Sequence, residues 1–491
     1  MAIRPADPTC GGVFQIGASP DRAAAPPDKR LSMDPCFLPA TRLAAMIAAR
    51  AISPVEVMEA VLARAERLDP LLNPFALRLF DAARAAARAA EAAVMAGAPL
   101  GPLHGVPITI KDSVAMRGLP TGNGSIAVEA PVAAADAAIV ARVLAAGAIA
   151  IGKTTLPEFS HKVLTDSLAT GVTRNPWKLD STPGGSSGGA SAALAAGIAP
   201  IAIGTDGGGS IRCPAACTGV VGLKATLGRI PNEAMPDGFA NYAFAGPMTR
   251  RVEDTVLLLS VMQGPDPADP WSLAPRPAMG PAATVRGLRI GWIEQFGRYR
   301  TDPALLGPLR AAMQALASAG ALVEPLSDPC FEDVHDTYRV IATTAHAARL
   351  GAIADTAGER MTESLRASIA IGRGWSAVEA QRAHDRRSLL FRAVQRLFTR
   401  FDLIATPTLL APPPGLDAGG SIATAWYAEW AAPLYPFNLT GHPAASVPAG
   451  FTEDGLPVGL QLVGPWYGEE RILAAAAALE EVIGCPVPPE T

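Results

Sequence analysis

Charge is scarce in this chain and balanced where it occurs. Charged residues make up 18% of the 491 positions and the net charge is −4. No run of Lys and Arg is present, so nothing marks a nucleic-acid surface. Aromatic residues are also few, at 5%. The six cysteines, Cys10, Cys36, Cys213, Cys217, Cys330 and Cys485, are scattered. The close pair Cys213 and Cys217 has no second pair at zinc-ligand spacing. We read them as reduced thiols in a cytoplasmic protein and expect no metal. Long membrane-type hydrophobic runs are missing too. Residues 181–205 carry no charge, yet glycines, serines and two prolines interrupt them. That composition suits a buried, turn-rich core rather than a lipid-facing helix. The first residues include Arg4, Asp7, Asp21 and Arg22 without an apolar run, so no signal peptide and no membrane partner are expected.

What the chain does hold is apolar bulk with much Gly and Pro. Hydrophobic residues reach 49%, with 47 Gly and 46 Pro, which is a globular composition. Residues 1–36 lack periodicity and read as a flexible tail. Residues 37–491 read as one large domain. Ser53-Pro54 reads as an N-cap and first helical residue opening "VEVMEAVLARAERL". "DAARAAARAAEAAVMAG" is a second helix, closed by Gly97. "GVPITIKDS" is a short buried strand. Helix and strand then alternate through "ADAAIVARVLAAG" and "AIAIG", "SGGASAALAAG" and "IAPIAIGTD", "VEDTVLLLSVMQG" and "LRIGWIE". Residues 302–400 read as mainly helical. Strands return at "DLIATPT", "ASVPAGF" and "PVGLQLVG", before the closing helix "EERILAAAAALEEV". This order predicts an α/β fold with a central mixed, largely parallel sheet covered by helices on both faces.

Three motifs compete for the chemistry. "GAIAIGKT" (147–154) matches the P-loop pattern, but its middle residues look like a strand, and Pro157 sits poorly in a helix beginning at Lys153. "GGSSG" and "GSSGG" (184–189) match G-x-S-x-G, which in an α/β-hydrolase needs a later histidine. His442, in "LTGHPAAS", is the one plausible partner. The third is a glycine nest, Gly207-Gly208-Gly209, leading to Ser210. Successive glycines let backbone N–H groups converge on one point, as in an oxyanion hole. A base could be Lys111, at the end of the apolar strand "VPITIK", because desolvation lowers a lysine's pKa toward neutrality. Asp112 should point the other way.

Taken together, "GVPITIKD", "TPGGSSGG" and "GTDGGGSIRCPAACTGVVGLKATLGRIP" resemble the amidase signature family. "IGKTTLPEF", "TRNPW", "AGPMTRRVEDTVLLL" and "YPFNLTGHPAASVPAGFTEDGLPVGLQLVG" agree with it. The resemblance runs from about residue 39 to the C-terminus, with a signature core near 105–260. Ala225 stands where the family usually has proline, and Gly207 where a bulkier residue is common.

The resemblance implies a Ser-cisSer-Lys triad without cofactor. Ser210 would attack the carbonyl, and Ser186, after a cis Gly185-Ser186 peptide, would relay the proton to neutral Lys111. The N–H groups of Gly207, Gly208, Gly209 and Ser210 would hold the oxyanion. Ser187 would bond near Lys111, and Asp206 and Arg212 would brace the glycine loop. The family's segment before "NLTGHP" approaches the substrate, so Trp426, Tyr427, Trp430, Tyr435 and Phe437 are expected to line a pocket for a neutral aryl or alkyl group. With no evident basic patch, the expected substrate is a small neutral amide, with carbamates (urethanes) or esters as extensions. The alternatives are a protein resembling the amide-cleaving subunit of a glutamine-dependent amidotransferase and, behind it, a Ser-His esterase. A monomer or homodimer is expected.

Overall fold

In a computed structural model of the chain, residues 34–274, 277, 284–417 and 429–489 are described. The first long helix, Pro54–Leu72, starts where its sequence says it should. Ser53 and Glu56 form a reciprocal capping box, and Pro54 occupies the first helical position. Gly97, at φ +69°, follows the end of helix Phe80–Met95.

The strands among the described residues are β1 (Phe75–Arg78), β2 (Pro107–Lys111), β3 (Ile149–Thr154), β4 (Asp166–Ser167), β5 (Gly171–Val172), β6 (Ile201–Asp206), β7 (Val221–Lys224), β8 (Phe244–Thr249), β9 (Arg289–Trp292), β10 (Leu322–Pro325), β11 (Leu403–Pro407), β12 (Ala444–Phe451) and β13 (Pro457–Val463). β4 and β5 pair with each other. The other eleven form one mixed sheet in the order β1-β3-β2-β6-β8-β7-β12-β13-β11-β9-β10. Parallel ladders join β3-β2-β6 and β11-β9-β10, the pieces built by helical crossovers. The strands between them, and β1 at the edge, pair antiparallel.

Period-2 alternation along β2 sends Ile108 and Ile110 into the apolar cluster formed with helices Ala40–Ala48, Ala138–Ala145 and Val252–Met262. Lys111 therefore belongs to the opposite face, where helices Gly188–Ala195 and Arg212–Thr218 pack.

Several strands carry little local signal. β7 and β8 were not expected, and β8 contains Pro247 in mid-strand. Pro247 lies opposite Ile203 of β6, beyond the two residues at which β7 pairs with β8, so on one side it has no ladder to break. The P-loop reading fails on geometry, because Gly152, Lys153 and Thr154 lie inside β3 rather than in a loop. Most of the expected tail lies outside the described residues. Asp34–Cys36 do not, and Cys36 is buried in the cluster that contains Met58 and Val61. Among the described residues no helix is long and apolar enough to cross a membrane.

Candidate active site

Lys111 ends β2, and Thr205 and Asp206 end its parallel neighbour β6. Carboxyl ends of parallel strands are where α/β sheets present their ligand sites. Two loops meet there. The first is Ser181–Ser187, which enters helix Gly188–Ala195. The second is Gly207–Ile211, which enters helix Arg212–Thr218. The Ser187 N–H donates to the Ser210 carbonyl at 3.1 Å and joins them.

The glycine pairs around the two serines answer to close approach. A Cβ on Gly188 would lie 2.3 Å from Thr165 Oγ1, and one on Gly189 would lie 2.3 Å from Thr155 Oγ1. The Gly185-Ser186 peptide is cis, as the resemblance implied.

Lys111 is fully buried. Its Nζ donates to Ser186 Oγ at 2.6 Å and to Thr205 Oγ1 at 2.8 Å. Burial pulls its pKa down to about 7, against a smaller upward pull from Asp206. Asp112 points elsewhere and pairs with Lys153 at 2.8 Å. Ser187 Oγ bonds both the carbonyl and the N–H of Thr205 at 3.2 Å, so it supports the threonine that Lys111 touches rather than the lysine itself.

Asp206 and Arg212 brace the glycine loop. Arg212 Nε lies 3.0 Å from Asp206 Oδ2 and Nη2 lies 2.9 Å from Oδ1. Burial alone would raise the Asp206 pKa, but the Arg212 charge and hydrogen bonds from Arg212 and Asn438 hold it well below the carboxylate range. Asp206 also accepts the Gly209 N–H at 2.7 Å. This corrects the expected oxyanion set. Gly209 spends its amide on Asp206, whereas Gly207, Gly208 and Ser210 line the cavity with Ser186 and Thr205.

That cavity has a volume of about 720 Å³. Of the aromatic residues predicted to line it, the three that are described do not. Trp430, Tyr435 and Phe437 are buried in a core cluster one layer behind. Trp430 Nε1 bonds the Ala411 carbonyl, Phe437 packs on Phe331, and Tyr435 stacks at 4.4 Å on Tyr338. Trp426 and Tyr427 lie outside the described residues. The ring beside the glycines is Tyr338, whose hydroxyl donates to the Gly207 carbonyl at 3.2 Å. Tyr338, Thr205, Asn438 and Gln461 escaped the sequence reading. Thr205, Asn438 and Gln461 lay inside the motifs "GTDGGGS", "YPFNLTGHP" and "PVGLQLVG", whereas Tyr338 carried no signal. The cleft is also not free of basic groups, since Arg349 lines it.

His442 is no partner for the serines. Its ring packs against Phe391 and Phe398, its Nδ1 is 2.8 Å from Thr440 Oγ1, and burial pushes its pKa down to about 3. It does not line the cavity. Among the described residues no cluster of three His, Cys, Asp or Glu side chains could hold a metal ion.

Comparison with known proteins covers nearly the whole chain. The family model described as Amidase matches residues 56–473. An acylamidase from Rhodococcus erythropolis is 36% identical over 467 residues, spanning 91% of this chain and 95% of its own. A glutamyl-tRNA(Gln) amidotransferase subunit from Acidothermus cellulolyticus is 37% identical over 473 residues, spanning 90% and 93%. Among solved structures, a bacterial aryl acylamidase of the amidase signature enzymes superposes with a TM-score of 0.83 at 31% identity, covering 90% of this chain and 96% of its own.

Proposed function

Because this chain belongs to the amidase signature family and is an amidohydrolase, we propose that it hydrolyses small amides with apolar aryl or alkyl groups through Ser210, Ser186 and Lys111. The observation that carries the reading is the 2.6 Å bond between buried Lys111 and Ser186 at the head of the cavity that also holds Ser210.

Neutral Lys111 draws the Ser186 proton, and Ser186 draws that of Ser210. Ser210 Oγ forms a bond to the carbonyl carbon, and the resulting oxyanion meets the N–H groups of Gly207, Gly208 and Ser210. The C–N bond breaks as the proton returns through Ser186 to the leaving nitrogen. Water then attacks the acyl-enzyme, gives its proton to the same relay and releases the acid. A carbamate would be cleaved by the same steps. The wall beyond the serines supports an apolar substrate, with Val114, Ile139, Phe159, Met235, Ala342 and Leu350 among its residues.

Ser210→Ala is expected to abolish labelling by a fluorophosphonate probe and leave the fold intact by circular dichroism. Labelling that persists, or a modified Ser186 in the digest, overturns the assignment. For the substrate, kcat/KM is compared for a neutral anilide, an aryl carbamate and glutamine on the isolated chain. The anilide should exceed glutamine by at least tenfold. The reverse order favours the amidotransferase-like reading.

A further inference from the structure

One stretch of the cavity wall is polar and unsatisfied. On helix Val334–Ala357, Tyr338, Ala342, His346 and Arg349 recur at spacings of four, four and three and all line the cavity. That spacing keeps them on one helical face. Tyr338 touches the glycine loop at one end, and Arg349 stands eleven residues further on. At ~1.5 Å per residue the two Cα atoms are separated by roughly 16 Å along the axis.

Two residues that line the cavity, His346 and Ser160, carry polar atoms without partners. His346 Nδ1 is buried with no hydrogen bond, and so is Ser160 Oγ on the turn opposite. Phe159 and Ser160 both sit at positive φ, 49° and 58°. Two consecutive left-handed residues that are not glycine are costly. Buried Glu158 secures the turn by accepting from Ser125 Oγ, Thr362 N and Thr362 Oγ1 at 2.7–2.8 Å. Arg349 is exposed and has no ion-pair or hydrogen-bond partner among the described residues, yet it is close enough to act electrostatically on His346 and Tyr242. The carboxylates on the wall, Asp136 and Glu233, are engaged elsewhere, accepting the N–H groups of Arg117 and Ala138.

Resting on the amidase reading, we propose that Arg349, with His346 and Ser160, forms a carboxylate subsite, and that the substrate is an amide whose acyl chain ends in a carboxylate far from the scissile carbonyl. A permanently charged guanidinium without another partner among the described residues suits a carboxylate, and the imidazole and hydroxyl supply hydrogen bonds along the approach. Burial, with the nearby Arg349 charge, pushes the His346 pKa down to about 4, so the imidazole is neutral at ordinary pH and leaves the positive charge to Arg349. The axial separation asks for a chain spanning roughly half of it, the arginine side chain covering the rest. A carboxylate only three carbons from the carbonyl, as in glutamine, stops short.

The test compares the monoanilide of suberic acid with octananilide, which has the same chain without the carboxylate, and with the monoanilide of succinic acid. For the wild-type chain, kcat/KM should favour the suberic monoanilide over octananilide by tenfold or more, chiefly through KM, and the succinic compound should gain no such preference. In Arg349→Gln the ratio should fall toward one, and Arg349→Lys should restore part of it. Octananilide cleaved as well as the suberic compound overturns the subsite and leaves the amidase reading standing. A preference that survives in Arg349→Gln overturns the assignment to Arg349. No cleavage of any anilide overturns the amidase reading itself.

Discussion

Lys111 shows how one residue's environment sets its chemistry. A lysine on the surface is protonated at neutral pH. Here full burial disfavours the charged form and brings the pKa to about 7, while Asp206 restrains the fall. The base form is the deprotonated one, so kcat/KM should rise with pH and level off above about 7. Lys111→Ala should remove both the activity and that limb, as read from a pH–rate profile. His442 is the contrasting case. Its imidazole is equally buried but packs against aromatic rings and does not line the cavity of the serines. His442→Ala should still label with a fluorophosphonate, at some cost in thermal stability for the cavity left behind. Loss of labelling in a folded His442→Ala protein would reopen the Ser-His reading.

At the scale of an element, the Gly207–Ser210 loop discriminates between adjacent glycines. A Cβ on Gly208 would lie 2.1 Å from Tyr338 Oη, whereas one on Gly207 would meet only Ala243 Cβ at 3.7 Å. Gly208→Ala should therefore cut kcat by a hundredfold or so, the order associated with losing one oxyanion donor. Gly207→Ala should fold normally and keep most of its turnover. This open space also accounts for the bulkier residue common at that position in the family. The same loop depends on Asp206, which takes the N–H groups of Gly209 and Ile211 and the guanidinium of Arg212. Asp206→Asn leaves a buried cation without its counter-charge. A loss of roughly 3–5 kcal/mol is expected in urea unfolding.

At the scale of the molecule, the site is assembled from distant parts of the chain through Arg212. Its Nη1 donates to the Leu434 carbonyl at 3.0 Å and to Gln461 Oε1 at 2.6 Å, and its Nη2 donates to Asn438 Oδ1 at 2.6 Å. Gln461 lies on β13, five places along the sheet from β2, and its Nε2 also bonds Thr406 and the Pro433 carbonyl. Gln461→Leu should leave several buried groups unpaired and cost about 1–3 kcal/mol for each. Turnover should fall as well, although the side chain does not line the cavity. Unchanged melting temperature and kcat would show that the bridge has no role.

The sequence by itself determined the elements whose signals are local, and it singled out the side chains on which the proposed mechanism rests. Capping residues mark helix Pro54–Leu72, apolar runs mark β2, β3 and β6, and the serine–glycine motifs with Lys111 mark the site. Those signals depend on neighbours a few residues apart, so they survive without coordinates. β7 and β8 were illegible because their pairing is long-range and their own residues, glycine and proline among them, argue against a strand. The destination of each N–H and side chain was illegible for a related reason. Gly209 looks like Gly208 in the sequence, and only the position of Asp206 separates an amide already bonded from that of a residue lining the cleft. The aromatic cluster before "NLTGHP" suggested a pocket because rings bury apolar area, but the packing behind Tyr338 turned Tyr435 and Phe437 into core. Arg349, well over a hundred residues from Ser210 and without a motif, reaches the cavity only because helix Val334–Ala357 lies along it. Local sequence sets propensity and chemistry, while burial, register and the distance between remote segments arise only when the whole chain packs.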